Sequence, residues 1–263
     1  MFIDTHCHLT DRQFEHDIEE ILTFSKECGV KAFITSGYDI ASSEKAVEFA
    51  LQHEGVYASV GVYPEYADLL DEKALLSLER MAQNEKVVAV GEIGLQFSQD
   101  CPAKDVQIKA FEKQIELAHY LKKPIVIHAR DAMGAIIETL EKNRDKLTFG
   151  GTMHCFSGSK ESAKRLLDLG LCISVGGVST FKNASNLKET LEYVPIEKIV
   201  LETDCPYLAP HPYRGQRNSP AFIPTIAENL AKIKNLTVDD VARITTNNAQ
   251  KLFKLGEQDA AQI

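Results

Sequence analysis

The feature that most constrains this chain is a rhythm, in which a short apolar, β-branched run is followed by a helix-like segment, repeated along its length. Strand-like runs fall at residues 2–5, 32–36, 57–62, 87–91, 125–128, 150–154, 172–175 and 199–203. Helical patterns lie between them at 15–28, 42–52, 72–84, 104–121, 132–143, 160–169 and 183–193, read from apolar spacing near 3.6 rather than 2. Phe111, Ile115, Ala118 and Leu121 share one helical stripe, and Ile18, Ile21, Leu22 and Ser25 form the inward face of the first helix. After the last strand, a long loop leads to helices at 224–233 and 238–253. The second has Thr237 as its N-cap and Asp239 and Asp240 in its first turn.

Strand-helix repeats in this number predict an α/β fold, a single (β/α)8 TIM barrel with its functional residues at the C-terminal ends of the strands. The runs are continuously apolar, as strands buried on both faces must be. An open doubly wound sheet is the alternative, but no G-x-G-x-x-G follows the first strand. The barrel is expected over residues 1–256, with 257–263 as a flexible tail.

Composition narrows the setting. No apolar run reaches membrane-spanning length, and Met1 leads straight into a strand without signal-peptide features. The six cysteines form no CxxC pair, which suits reduced thiols and a cytoplasmic location. Net charge is −9 in 263 residues, so a polyanion would have to be held by a local basic patch. Neither a membrane role nor an obligate protein partner is expected.

Polar residues at strand ends carry the chemistry. The first run ends in "THCH", where alternation puts His6 and His8 on one face and Cys7 on the other. Alone, such a pair is either a metal grip or two hydrogen-bonded histidines. The fourth run ends at Glu92, the fifth at His128 and Arg130, the sixth at His154, and the eighth at Glu202 and Asp204. That much polarity at one rim is costly to bury unless a cation gathers it. His6, His8, Glu92, His128, His154 and Asp204 are more ligands than one open-sited ion needs, so two divalent ions are expected, with Glu92 as the bridge. Two ions about 3.5–4 Å apart clamp a transferring group and acidify a water. Asp204 is placed to ligate and to take the nucleophile's proton. The expected reaction is hydrolysis, and the donor set suits Mg, Mn or Zn. Cys7, Cys155 and Cys205, each next to an expected ligand, are read as small core residues facing away.

The segments "FIDTHCHL", "VGVYP", "VGEIGL", "IVIHARDA", "MHCFSGS" and "LETDCPYLAPHPYRGQRN" resemble the TatD family of metal-dependent deoxyribonucleases, in order from Phe2 to about Leu255. The resemblance implies a TIM barrel, a divalent metal centre held by the same six residues, and phosphodiester cleavage. It further implies 3′–5′ exonuclease action on single-stranded DNA or nucleic-acid ends. Two positions depart from the family's "VGVHP" and "GEIGLD": Tyr63 stands in place of histidine and Gln96 in place of aspartate. Tyr63 keeps a hydrogen-bond donor without a cationic form, and Gln96 lacks a charge.

Substrate contact is expected from Arg130, Tyr63, and the loop arginines Arg214 and Arg217, whose forks match phosphate oxygens. Tyr213 or Phe156 would stack a base. The bland reading of the loop is solvated arginines paired to acidic helices. Ser157, Gly158 and Ser159 are either a phosphate nest or a helix cap. The rival functions are an amidohydrolase or esterase acting on a small C–N or ester substrate such as an aminoacyl ester, and a non-catalytic binding protein of the same fold.

Overall fold

A computed structural model describes residues 1–256; the tail expected at 257–263 lies outside the described residues. Eight parallel strands run in sequence order around a nearly closed barrel: β1 (Phe2–Cys7), β2 (Val30–Ser36), β3 (Val56–Val60), β4 (Val87–Gln96), β5 (Ile125–Arg130), β6 (Gly151–Met153), β7 (Cys172–Val175) and β8 (Ile199–Leu201). Helices α1 (Ile18–Glu27), α2 (Ile40–Gln52), α3 (Glu72–Ala82), α4 (Lys104–Leu121), α5 (Met133–Lys142), α6 (Lys160–Asp168) and α7 (Ser185–Tyr193) alternate with the strands, and α8 (Ile223–Lys234) and α9 (Val238–Phe253) follow β8.

The first and last strands meet at the mouth. Asp204 donates its backbone N–H to the His6 carbonyl (2.9 Å), and His8 donates to the Cys205 carbonyl (2.8 Å). Thr5 Oγ1 adds a bond to the Leu201 carbonyl at 2.9 Å. At the opposite end, Ala249 and Phe253 of α9 pack with Ile3, Val88, Val126 and Val200, so that end is covered by hydrocarbon while polar side chains gather at the mouth.

Helix boundaries follow their caps. Thr237 accepts from Asp240 N, as its position predicts, and Asp39 and Ser42 form a reciprocal capping box at α2. Helix α4 buries more than its expected apolar stripe. Phe111, Ile115 and Ala118 are in the core, and so are Gln107 and Gln114. Both amides are fully used: Gln114 bonds the N–H and carbonyl of Val62 (2.7 and 2.9 Å), and Gln107 does the same for Gln96 (2.9 Å each). Burial without partners would be destabilising. With them, α4 fixes the chain beside Tyr63 and at Gln96.

Two strands break register where polar residues turn inward. Pairing shifts in β1 between Asp4 and Cys7, and in β4 between Val90 and Ile93, local irregularities that re-aim side chains. Gly94 pairs with His128 at φ 148°, and an added Cβ would stand 2.0 Å from the His128 carbonyl oxygen. Only glycine lets β4 and β5 approach this closely.

Candidate metal centre

His6, His8, Glu92, His128, His154 and Asp204 converge on one cluster at the barrel mouth. Glu92 is at its middle, only 3% exposed, and its two oxygens serve different sides. Oε2 lies 3.5 Å from His6 Nε2 and 3.8 Å from His8 Nε2; Oε1 lies 2.8 Å from His128 Nδ1 and 3.6 Å from His154 Nε2. Asp204 Oδ1 stands 3.5 Å from His6 Nε2, 3.4 Å from His8 Nε2 and 4.0 Å from His154 Nε2. Asp204 takes a left-handed backbone at φ 58°, which aspartate tolerates better than most residues.

The outer nitrogens of His6 and His8 are hydrogen-bonded, and that of His154 lies beside a carboxylate without an aligned hydrogen bond. His8 Nδ1 bonds the Ser36 carbonyl (3.2 Å), which only accepts, so Nδ1 carries the proton and Nε2 faces inward as a lone pair. His6 Nδ1 meets Ser36 Oγ at 3.0 Å, itself bonded to Ser59 Oγ at 2.8 Å. His154 Nδ1 lies 3.0 Å from Glu202 Oε1. Glu202 is fully buried and also accepts from the Cys155 N–H (2.6 Å) and the Ser174 hydroxyl (2.5 Å).

His128 is turned the other way, with the two residues that depart from the family pattern, Tyr63 and Gln96, at its outer nitrogen. Glu65, a carboxylate that only accepts, takes a hydrogen bond from Gln96 Nε2 at 2.6 Å. This orients Gln96 Oε1 toward His128 Nε2 (3.1 Å) and the Tyr63 hydroxyl (2.8 Å), and Tyr63 OH is also 2.8 Å from His128 Nε2. Gln96 Oε1 accepts the Nε2 proton, while Nδ1 faces a second acceptor, Glu92 Oε1 at 2.8 Å, so a cation held at Nδ1 would replace that contact and leave the proton on Nε2.

The arrangement fits a cation. His6 Nε2 is buried and makes no hydrogen bond among the described residues. The inner donors of His6, His8, Glu92 and Asp204 stand 3.4 to 3.8 Å apart, too far for good hydrogen bonds. Ligands about 2.0–2.2 Å from one ion stand about 3.3–3.6 Å apart at tetrahedral angles. His6 with His8 and Asp204, and His6 with Glu92 and His154, form groups of three compatible donors; His128 joins neither and meets the cluster through Glu92.

Without a cation, protons must hold these charges together. Burial opposes a charged His6, but Glu92 and Asp204 outweigh it and raise its pKa well above the usual histidine value. Burial likewise opposes charge on His154, and Glu202 chiefly raises it. Against burial, the imidazoles hold Glu92 well below the carboxylate range, and Asp204 is held low as well. Asp4, fully buried behind His6, is pushed up by burial to about 7 despite its bonds from Thr203.

The chain's family follows from comparison with known proteins. The model described as TatD related DNase matches residues 3–254. The chain belongs to the TatD-related DNase family. Among its TatD-family relatives, it is 38% identical over 255 residues to the uncharacterized metal-dependent hydrolase YabD of Bacillus subtilis (strain 168), covering 97% of this chain and 100% of that protein. It is 33% identical over 258 residues to the 3'-5' ssDNA/RNA exonuclease TatD of Pantoea sp. (strain At-9b), covering 96% and 99%. The crystal structure of YJJV, a TatD homolog from Escherichia coli k12, superposes with a TM-score of 0.91 at 30% identity, covering 97% of this chain and 98% of that one.

The other expected site residues are placed as follows. Arg130 is exposed, and its guanidinium has no ion pair or hydrogen bond among the described residues. Arg214 is exposed and lies over the Phe181 ring, 4.5 Å from its centroid. Arg217 forks onto Asp17, with Nη1 3.1 Å from Oδ1 and Nη2 bonded to Oδ2. Tyr213 stacks on Phe222 and Phe156 is buried, so neither presents two free faces. Ser159 caps α6 by accepting from Ser162 N. Cys7 and Cys205 are fully buried, as expected. Cys155 differs: β6 stops at Met153, strand alternation ends there, and the Cys155 sulfur lies within 4.8 Å of donors of His154 and Glu202. The orienting groups Ser36, Glu65 and Glu202 carry no ligand-like spacing; Glu202 alone was visible, as a carboxylate at a strand end.

Proposed function

We propose that this chain is a divalent-metal-dependent hydrolase that cleaves phosphodiester bonds, shortening single-stranded DNA, or nucleic-acid ends more broadly, from the 3′ side. The division of Glu92 between two imidazole sets carries the reading. A carboxylate shared this way is the natural bridge of a two-cation clamp, with His6, His8 and Asp204 on one side and His128 and His154 on the other. When bound, divalent cations supply a water acidic enough to attack near neutral pH and positive charge against phosphoryl oxygens.

The chain's own residues do the rest. Asp204, with 15% side-chain exposure, is the carboxylate of the set that reaches the mouth, and it accepts the proton of the attacking water at the oxygen not turned toward His6 and His8. Arg130, with its fork uncommitted, grips a phosphate oxygen, and Arg214, in the loop that follows Asp204, is a second candidate. Arg217 would first have to leave Asp17. Tyr63 acts on the substrate through His128. Two relatives named as 3'-5' ssDNA/RNA exonucleases support the choice of bond and polarity.

The test is metal-loaded protein (Mg, Mn or Zn) offered end-labelled single-stranded DNA, RNA and duplex beside a panel of small esters and amides. Stepwise shortening from the 3′ end is expected, with Arg130→Ala raising KM. Turnover of small esters alone would overturn this reading in favour of an amidohydrolase or esterase.

A further inference from the structure

An arc of tyrosines borders the centre on the side away from Arg130. Tyr38 follows β2, Tyr66 lies in the short turn after β3, and Tyr207 follows β8. β2 and β8 flank β1 in the barrel, so Tyr38 and Tyr207 rise on the His6 and His8 side of the mouth, and Tyr66, one strand further on, joins them through Tyr38. The His8 ring centroid is 6.2 Å from both the Tyr38 and the Tyr207 rings, at 63° and 68°. Tyr66 stacks behind Tyr38 at 6.1 Å and 28°.

The arc is exposed yet held in place. Tyr38 is 41% and Tyr207 49% exposed, unusual for such large rings beside a buried cluster. The Tyr38 backbone donates to Ser42 Oγ (2.9 Å) and accepts from Tyr63 N (2.8 Å). Tyr207 OH donates to Asp11 Oδ2 at 2.8 Å, and the Tyr38 hydroxyl has no partner among the described residues. The nearby charges are acidic: burial chiefly raises the Tyr38 pKa, and Asp39 and Asp11 add to it. A phosphate is repelled there, whereas a flat neutral ring is not.

We propose that Tyr38, backed by Tyr66, and Tyr207 form a stacking platform for the nucleobases flanking the scissile phosphate of a single strand. The inference rests on the nuclease reading above. It divides the substrate's grip: phosphates toward Arg130, bases on the tyrosine side. It also accounts for how a chain of net charge −9 can hold a polyanion, since base–aromatic stacking needs no positive surface and tolerates every base.

The test compares an oligothymidylate strand with the same strand made abasic at its two terminal nucleotides, for wild type and the variants Tyr38→Leu, Tyr207→Leu, Tyr38→Phe and Tyr207→Phe. Each Leu variant is expected to raise KM for the full strand by roughly five- to a hundredfold, the range of a lost base stack. The rise on the abasic strand is expected to be far smaller, and the Phe variants to track wild type. Melting temperature and bound metal are measured alongside. Equal losses on both strands, or none on either, overturn the platform while leaving the nuclease reading intact. A wild-type protein that cleaves neither strand removes both.

Discussion

The Oε1 atom of Glu202 lies 3.0 Å from the Nδ1 atom of His154, in a carboxylate with no solvent exposure. Across the ring, His154 Nε2 faces Glu92 and Asp204. Outer carboxylates of this kind commonly contribute about 10–100-fold in metal affinity. Glu202→Gln is expected to lose affinity in that range, read by competition with a fluorescent chelator. Unchanged affinity would remove Glu202 from the centre's workings.

Metal binding should release protons, because His6 and His154 hold theirs more tightly than free imidazole. The sign follows from the raised His6 value: protons compete with the cation below it, so affinity climbs with pH beyond the usual histidine range. Titration calorimetry in buffers of different ionisation enthalpy counts the protons. A flat affinity from pH 6 to 8 would contradict the charge state described here.

Gln96→Leu removes the acceptor that keeps the proton on His128 Nε2 and leaves the Tyr63 hydroxyl, 2.8 Å away, to donate to that nitrogen. The proton is then expected on Nδ1, facing Glu92, with weaker metal binding. Long-range proton–nitrogen spectra of histidine-labelled, zinc-loaded protein report the tautomer directly. Gln96→Asp, which restores an acceptor, should return it to Nε2; the same tautomer in all three proteins would defeat the argument.

Asp4 gives a stability prediction with a definite sign. Its folded pKa of about 7 exceeds the ordinary 3.8, so between these values the folded chain binds more protons than the unfolded chain. Its contribution is greatest below pH 3.8 and falls as pH rises to about 7, by at most about 1.4 kcal/mol per pH unit. In urea unfolding of metal-free protein from pH 4.5 to 7.5, Asp4→Asn should show a shallower loss than wild type. Parallel curves would rule this out.

The barrel was legible because its signal is periodic. Helices 104–121 and 238–253 and strand 172–175 have the same limits in the structure as in the apolar pattern. The cluster was legible for a related reason, since donors directly after buried strands have one place to go. What stayed hidden depends on where periodicity stops. Alternation would set Glu202 and Asp204 on one face, as it does His6 and His8. Instead β8 ends at Leu201 and Asp204 turns left-handed, so the two carboxylates reach His154 from opposite sides of its ring. Arg217 meets Asp17 across 200 positions, and Tyr38, Tyr66 and Tyr207 are single aromatics in separate loops. No local pattern announces either.

The bonds from Asp204 to His6 and from His8 to Cys205 make the barrel's seam and its reactive cup the same object. In the closed ring the same backbone bonds that join the two ends hold Asp204 beside His6 and His8. A chain cut before its eighth strand has neither Asp204 nor the neighbour that aligns His6 and His8, and is expected to bind metal poorly for both reasons.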